Sequence, residues 1–126
     1  MPTVIIRTNL TIPEEKRTAI FSDVTDIMVE VAHKKREKVM VLLEEINARM
    51  GNTNEPLAFA EVRSMVGLDH EMNHDLSERI TDVLEKTLGI PNKRLYINFL
   101  KIPETAWGWQ RGIAIWDATE RQWIVK

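Results

Sequence analysis

The sequence predicts an α+β fold in which two β-α-β units form one four-stranded sheet with both helices on one face. Two amphipathic helical patterns each lie between short apolar runs typical of strands. Equivalent elements of the two halves are offset by roughly 55 to 57 residues, which indicates a repeated unit. We expect a single domain over residues 1–126, with an atypical C-terminal extension from about residue 113.

The first half begins with a β-branched run within Thr3–Thr8, which predicts a strand. Thr11 and Glu14 have the spacing of a capping box, with Pro13 in the first turn. The amphipathic helix that follows has apolar residues at steps of three and four: Ile20, Val24, Ile27 and Val31. After a basic stretch, residues 39–43 predict a second strand, although five apolar residues could also continue a helix.

The second half repeats this plan. Residues 57–64 predict a strand, and Asp69 is the expected N-cap of the second helix. The apolar face of that helix consists of Met72, Leu76, Ile80, Val83 and Leu84. Gly89 and Pro91 are typical of a helix end, and residues 95–100 predict the fourth strand.

The predicted topology leaves one face of the sheet without a helix. Right-handed crossovers place both helices on the same face if the halves are related by a pseudo-two-fold axis. The continuous apolar runs in three strands indicate burial of both sheet faces. Self-association is the simplest way to cover the second face, although the residues alone do not fix the number of subunits.

Composition excludes several functional classes. The chain has 126 residues, of which 44% are hydrophobic and 29% charged, as in ordinary globular proteins. Its net charge is -2, whereas nucleic-acid-binding proteins are usually basic. The absence of cysteine excludes disulfides, thiolate metal sites and cysteine nucleophiles. No apolar run approaches the roughly 18 residues of a membrane span, and the N-terminus does not resemble a signal peptide. We therefore expect a cytoplasmic protein with no nucleic-acid or membrane partner.

Five short features occur together in the order typical of one known family. They are Met1-Pro2, Asn54-Glu55-Pro56 before a strand, Gly89-Ile90-Pro91, the strand at residues 95–99, and Trp107-Gly108-Trp109. From Pro2 to about Gly112 the chain thus resembles the macrophage migration inhibitory factor family of the tautomerase superfamily. The resemblance implies a β-α-β-β-α-β subunit that assembles as a homotrimer, with active sites near the subunit interfaces.

The resemblance implies that Pro2 is the catalytic base. Its nitrogen is basic only after Met1 is removed, because within the chain it is an amide. A hydrophobic pocket disfavours the protonated amine and lowers its pKa towards neutrality, where proton transfer is most effective. The Met-Pro pair alone would favour a proline that merely begins a strand, whereas the whole family pattern favours catalysis.

Other site residues follow from the same resemblance. Lys34 matches a lysine that binds the substrate carboxylate, the backbone amide near Met65 matches a substrate contact, and Asn98 matches a hydrogen-bonding residue from a neighbouring subunit. Tyr96 shares a strand face with Asn98, and Trp109 matches an aromatic residue of the pocket. From the residues alone, Lys34 is equally compatible with a solvated basic loop, and the tryptophans are compatible with packing.

The chain also departs from the family pattern. Lys38 stands where a pocket aromatic is often found, which predicts a more polar or cationic pocket. Residues 113–126 do not match the short family tail, and their Trp116 and Trp123 could reshape the pocket or an interface. This tail and Arg111 faintly resemble decarboxylases and dehalogenases of the superfamily, but the paired arginines of those enzymes are not evident.

The segment His70-Glu71-Met72-Asn73-His74 matches the H-E-x-x-H pattern of zinc proteases. That spacing places both histidines on one helical face. Met72 belongs to the predicted apolar stripe, so we expect the histidines to point towards solvent. No clear third ligand accompanies them. We interpret the segment as a solvated helix face and predict no metal site, while incidental metal binding and metal-dependent hydrolysis stay open.

The expected function is therefore keto-enol tautomerisation of a small α-keto acid that resembles phenylpyruvate. No cofactor is expected, because the acidified C–H bond needs only a positioned base. One alternative is a non-catalytic trimeric binding protein of the same fold, which retention of Met1 would favour. Another is a decarboxylase- or dehalogenase-like enzyme of the superfamily.

Overall fold

The structure is a computed structural model that describes all residues from 1 to 126. Two long helices cover one face of a four-stranded sheet, and a small second sheet follows them. The elements of the main layer are β1 (Thr3–Thr8), α1 (Glu14–Glu30), β2 (Met40–Glu45), β3 (Ala58–Ser64), α2 (His70–Leu88) and β4 (Leu95–Lys101). The strands of the small sheet are β5 (Gly108–Trp109), β6 (Gly112–Asp117) and β7 (Gln122–Val125). Neither long helix has the combination of length and apolar character that crossing a membrane requires.

The main sheet has the strand order β2-β1-β3-β4. Strand β1 is parallel to β2, β3 is parallel to β4, and the two central strands are antiparallel to each other. Each parallel pair is joined through a helix, so the chain consists of two β-α-β units placed side by side. The predicted fold class is confirmed.

The core lies between the sheet and the two helices. Alternate residues of the central strands face the helices, and Val4, Ile6, Ala60 and Val62 are completely buried. They belong to one cluster with the apolar faces of both helices, which include Ile20, Val24, Leu76, Ile80 and Leu84. Full burial of such side chains contributes about 1.5 to 3 kcal/mol each. This packing holds the N-terminal strand rigidly in the centre of the sheet.

The two helices begin in different ways. The Asp69 carboxylate accepts a hydrogen bond of 2.9 Å from the Met72 amide, so the predicted cap of α2 is confirmed. Gly89 ends the helix in the left-handed conformation with φ 68°. The predicted capping box of α1 is wrong. Pro13 is extended and occupies the N-cap position itself, without a side-chain cap, so the first turn starts too late for Thr11 to cap it.

Replacing Asp69, which precedes α2, and Thr11, which precedes α1, should therefore change the stability by unequal amounts. We expect Asp69→Ala to lower the free energy of unfolding by about 1 kcal/mol, because the Met72 amide loses its acceptor. The matched change Thr11→Ala should cost less than about 0.5 kcal/mol, as for surface positions that make no special contact. Urea unfolding of both variants followed by circular dichroism checks this. Equal losses would contradict the assignment of the caps.

The face of the sheet opposite the helices combines charged and apolar side chains. Arg7 lies 3.1 Å from the carboxylates of both Glu44 and Glu61. Arg63 also pairs with Glu61. These ion pairs hold the pKa of Glu61 below its usual value, chiefly through the hydrogen bond from Arg63. Tyr96 is 61% exposed on the same face. A single chain thus leaves this face partly open, and the predicted burial of both faces is not found within one chain.

The C-terminal extension forms a β-hairpin. Ile113 and Lys126 exchange backbone hydrogen bonds of 2.9 and 3.0 Å, and Trp116 lies opposite Trp123 in the register. Gly112 is needed at the base of this hairpin, because a Cβ there would collide with the Val125 side chain. The hairpin therefore packs closely on itself and presents its tryptophans towards the start of β1.

Candidate active site

A cavity of about 370 Å³ opens beside the N-terminus of β1. We call it the lysine cavity. It contains four of the predicted site residues, namely Pro2, Lys34, Lys38 and Trp109. The remaining lining residues are Met1, His33, Lys35, Trp116, Gln122 and Trp123.

The backbone fixes the two central members of this cavity. The carbonyl oxygen of Pro2 accepts a hydrogen bond of 3.0 Å from the Met40 amide, which anchors the start of β1 against β2. After α1 the chain reverses at His33, which adopts the left-handed conformation with φ 56°. The Lys34 amide then bonds to the Met28 carbonyl at 3.1 Å. This reversal brings Lys34 back towards Pro2, which is itself buried.

The electrostatics of the lysine cavity disfavour additional positive charge. The amino group of Met1 has its pKa lowered from 8.0 to about 6, first by burial and then by repulsion from Lys34 and Lys38. Burial also lowers the pKa of Lys34. Both shifts follow from the cost of holding a cation in a partly dry cavity that contains other cations. An amine at the N-terminus is therefore largely uncharged at neutral pH.

Lys38 and Trp109 form a direct contact within the cavity. The Lys38 Nζ lies 4.2 Å from the centre of the Trp109 ring, a distance suited to a cation–π interaction. Together with His33, Lys34 and Lys35, Lys38 makes the lining basic, and no carboxylate side chain lines the cavity. The cavity is thus suited to an anionic ligand.

A second cavity, of about 490 Å³, adjoins the first. We call it the tryptophan cavity. Its lining consists of Met65, Val66, Glu104, Trp116 and Trp123, so the two tryptophans line both cavities. Lys34 also connects them, since its Nζ donates a hydrogen bond of 3.3 Å to the Val66 carbonyl.

The sequence profile of the family described as Macrophage migration inhibitory factor (MIF) matches residues 1–114. The chain belongs to this family. The MIF-like protein mif-2 of Caenorhabditis elegans is 29% identical over 124 residues, which cover 96% of this chain and 100% of the relative. The macrophage migration inhibitory factor of Xenopus tropicalis is 26% identical over 110 residues, or 86% of this chain and 95% of the relative. The crystal structure of the macrophage migration inhibitory factor-like protein of Entamoeba histolytica has a TM-score of 0.84 at 25% identity, covering 89% of this chain and 97% of that chain.

Not all predicted site residues of this MIF family member meet in one chain. The side chain of Met65 lines the tryptophan cavity instead of the lysine cavity. Its amide follows β3 and donates no hydrogen bond within the chain. The β1–β3 register ends with Thr3 opposite Arg63, so Met65 follows the end of β3 that pairs with the start of β1. That amide is therefore free to bind a ligand near the N-terminus.

Asn98 and Tyr96 lie apart from both cavities of their own chain. They share the helix-free face of β4, as the sequence predicts, because Leu95, Ile97 and Phe99 belong to or pack against the core on the other side. Strand β3 separates β4 from β1 in the sheet. Only a neighbouring copy of this MIF family member would bring these two side chains to the lysine cavity.

Some lining residues of the lysine cavity were not predicted as site residues. His33, Lys35 and Gln122 line it without having been singled out. A signal for the hairpin that carries Gln122 was present, since two alternating apolar segments flank a polar turn at residues 117–121. Within that turn, the Asp117 carboxylate accepts a hydrogen bond of 2.9 Å from the Thr119 amide.

The H-E-x-x-H segment lies elsewhere on the molecule, at the start of α2. His70, Glu71 and His74 are exposed, whereas Met72 packs against the core, as predicted. His74 also approaches Asp75 and Glu78, and potential ligand atoms of these three exposed residues lie within 4.8 Å of one another. The arrangement is that of a solvated helix face, and it shares no residue with the lysine cavity of this MIF family member.

Proposed function

We propose that this chain is a cofactor-independent keto-enol tautomerase for small α-keto acids, with Pro2 as the general base once Met1 is removed. The observation that carries the proposal is the pKa of about 6 for the amino group that lies in the lysine cavity. Membership of the tautomerase superfamily supports the same reaction class. An uncharged amine at neutral pH is the property that a proton-transferring base requires.

A free Pro2 amine is subject to the same effects as the Met1 amine, because the two residues share the cavity. Removal of Met1 shifts the free amine by one residue, a Cα–Cα step of about 3.8 Å. Pro2 is buried whereas Met1 is only half-buried, so desolvation acts on the new amine in the same direction. Lys34 and Lys38 still line the cavity and oppose its protonation.

The proposed reaction uses three groups of this chain. Lys34 pairs with the substrate carboxylate and orients the adjacent carbonyl. The lone pair of the Pro2 nitrogen takes a proton from the carbon next to the carbonyl, and the released electron pair forms the carbon–carbon double bond while the carbonyl π pair moves to oxygen. The positive charge of Lys38 stabilises the resulting enolate. The protonated Pro2 then returns the proton to the enolate oxygen, which restores the base.

The complete site is proposed to form in a homotrimer. Tyr96 and Asn98 on the helix-free face of β4 would then complete the lysine cavity of a neighbouring subunit, where Asn98 and the free Met65 amide orient the substrate. Support comes from the 61% exposure of Tyr96 in the single chain and from the absence of a helix on that face. The other two copies would cover this face.

A mixed-subunit experiment tests the shared site. We expect Asn98→Ala and an N-terminally blocked chain to be nearly inactive when each assembles alone. When the two chains are refolded together in equal amounts, activity should return at about a quarter of the sites. Each site of the closed ring takes Pro2 from one subunit and Asn98 from its neighbour, and each of these residues is intact in half of the subunits. The controls are the blocked chain refolded without Asn98→Ala, and Asn98→Ala refolded without the blocked chain. Absence of recovery in verified mixed trimers would contradict a site shared between subunits.

The expected pH dependence of kcat/KM follows from the titration of the Pro2 amine and the Lys34 ammonium group. The base must be uncharged, so kcat/KM should rise with pH through the Pro2 pKa, which we expect near the value of about 6 for an amine at this location. Lys34 must stay protonated to bind the carboxylate. Because burial lowers its pKa from the ordinary value of 10.5, activity should decline again before that pH is reached. A profile measured with phenylpyruvate at constant ionic strength checks both limbs, and a flat acidic limb would contradict the role of the amine.

A non-catalytic binding protein is the second candidate, and retention of Met1 in the mature protein would favour it. Met1 itself lines the lysine cavity, and while it remains attached the Pro2 nitrogen is an amide without basicity. Intact-mass measurement combined with a phenylpyruvate tautomerase assay on the same sample distinguishes the two. A chain without Met1 that turns over the substrate supports the enzyme. Retained Met1, or a chain without Met1 that shows no turnover, supports the binding protein. The decarboxylase- or dehalogenase-like alternative receives less support, because no arginine lines the lysine cavity.

A further inference from the structure

The two tryptophans of the C-terminal hairpin lie between the lysine cavity and the tryptophan cavity. Trp116 and Trp123 contact each other edge to face, with ring centres 5.2 Å apart. Both rings line both cavities. This pair therefore separates a basic compartment from one with a mainly apolar lining.

Several contacts hold the pair in place against the body of the protein. The Trp116 amide donates a hydrogen bond of 3.3 Å to the Glu104 carboxylate, and the Ala114 amide bonds to the Trp107 carbonyl at 3.1 Å. Trp107 is in turn fixed by its indole N–H, which bonds to the Ile102 carbonyl at 3.0 Å. Glu104, which accepts this bond, also lines the tryptophan cavity, and the other lining residues of that cavity are apolar.

Lys34 reaches the boundary between the two compartments. Its Nζ lines the lysine cavity while donating to the carbonyl of Val66, whose side chain lines the tryptophan cavity. An ammonium group has three donors, so Lys34 can bind a carboxylate without releasing Val66. A ligand whose carboxylate pairs with Lys34 is thus bound at the boundary of the second cavity, within reach of its lining.

We propose that the tryptophan cavity is a specificity subsite for an extended aromatic group, so that the preferred ligand is a carboxylate that carries two linked rings and spans both cavities. The inference rests on the proposed function for the anionic end of the ligand. Each cavity alone lies within the range of about 300 to 1,000 Å³ typical of small-molecule pockets. A single-ring α-keto acid leaves the second cavity empty, whereas a biphenyl group extends into it past the two indole rings.

Unreactive carboxylates test this inference without depending on catalysis. We expect biphenyl-4-propionate to bind the intact chain more tightly than 3-phenylpropionate, by roughly 10-fold as judged from the strength of aromatic contacts. The double change Trp116→Ala with Trp123→Ala should remove most of that difference; because both residues also line the lysine cavity, phenylpropionate should bind more weakly as well. Isothermal titration calorimetry reports both affinities. Phe21→Ala on α1, a partly exposed aromatic far from both cavities, is the matched control and should retain the preference.

A second variant tests the tryptophan cavity without changing a residue of the hairpin. Val66→Phe fills the tryptophan cavity while keeping the Val66 carbonyl that Lys34 uses, and it should selectively weaken biphenylpropionate. Equal affinities of the two probes for the intact chain, no binding of either probe, or equal weakening of both by Val66→Phe would overturn the inference. Selective biphenyl binding without turnover of the corresponding α-keto acid would uphold the subsite and reject the tautomerase. Turnover of phenylpyruvate without a preference for the larger probe would support the tautomerase and reject the subsite.

Discussion

A chain whose Pro2 nitrogen is held in an amide is expected to lose roughly 10²- to 10⁴-fold in kcat/KM for phenylpyruvate, the usual contribution of a general base. A Gly-Ser extension that is not cleaved, placed directly before Pro2, makes this change without altering a side chain. The physical reason is that an amide nitrogen has no available lone pair, whereas the cavity keeps a free amine uncharged. The measurement is the rate of enol formation by chains whose masses have been verified.

Two further chains make this result specific. Pro2→Ala keeps a free but primary amine in the same cavity, so we expect it to retain part of the activity. Pro91→Ala changes an exposed proline after α2 and should have full activity. If the blocked chain turned over phenylpyruvate as fast as the free one, the base would lie elsewhere.

Removal of the Lys34 ammonium group is also expected to have a large effect. Lys34→Ala should reduce kcat/KM for an α-keto acid by about 10- to 100-fold, mainly through KM, since a hydrogen bond to a charged group contributes roughly 1.5 to 3 kcal/mol. It should also move the acidic limb of the pH profile to higher pH. The sign follows because the positive charge of Lys34 lowers the pKa of the N-terminal amine, and its loss makes protonation easier.

The control for this variant is Lys93→Ala, which removes an exposed lysine remote from the cavity. A ketone without a carboxylate provides a second comparison, because Lys34→Ala should barely affect its KM. An unchanged KM for the α-keto acid, with the acidic limb in its original position, would show that Lys34 is only a solvated loop residue.

The sequence was informative wherever short-range patterns determine the structure. Asp69 and Gly89 lie at the ends of α2 as expected, since capping and left-handed glycine depend on a few neighbouring residues. The same reasoning failed at α1. There Thr11 and Glu14 had the correct spacing, but Pro13 took the N-cap position and delayed the helix. The spacing alone does not show whether Thr11 or Pro13 takes the N-cap position.

The candidate site was only partly accessible from the sequence. The family resemblance singled out Pro2, Lys34 and Trp109, which the structure brings to one cavity together with Lys38. Their assembly depends on the reversal at His33, which spacing does not indicate. The arrangement of the C-terminal hairpin was not predictable from the family pattern, because residues beyond 114 lie outside the family match. Asn98 lies apart from both cavities of the single chain, and only the proposed assembly would bring it to one.

The most direct test of the account is titration of the Pro2 nitrogen by ¹⁵N NMR in a chain that mass spectrometry shows to begin at that proline. The account predicts a pKa well below the ordinary N-terminal range of about 7.7 to 8.0, close to the value of about 6 for the amine in this cavity. A Pro2 pKa at or above the ordinary range would contradict it, because the nitrogen would then be charged and unable to accept a proton at neutral pH.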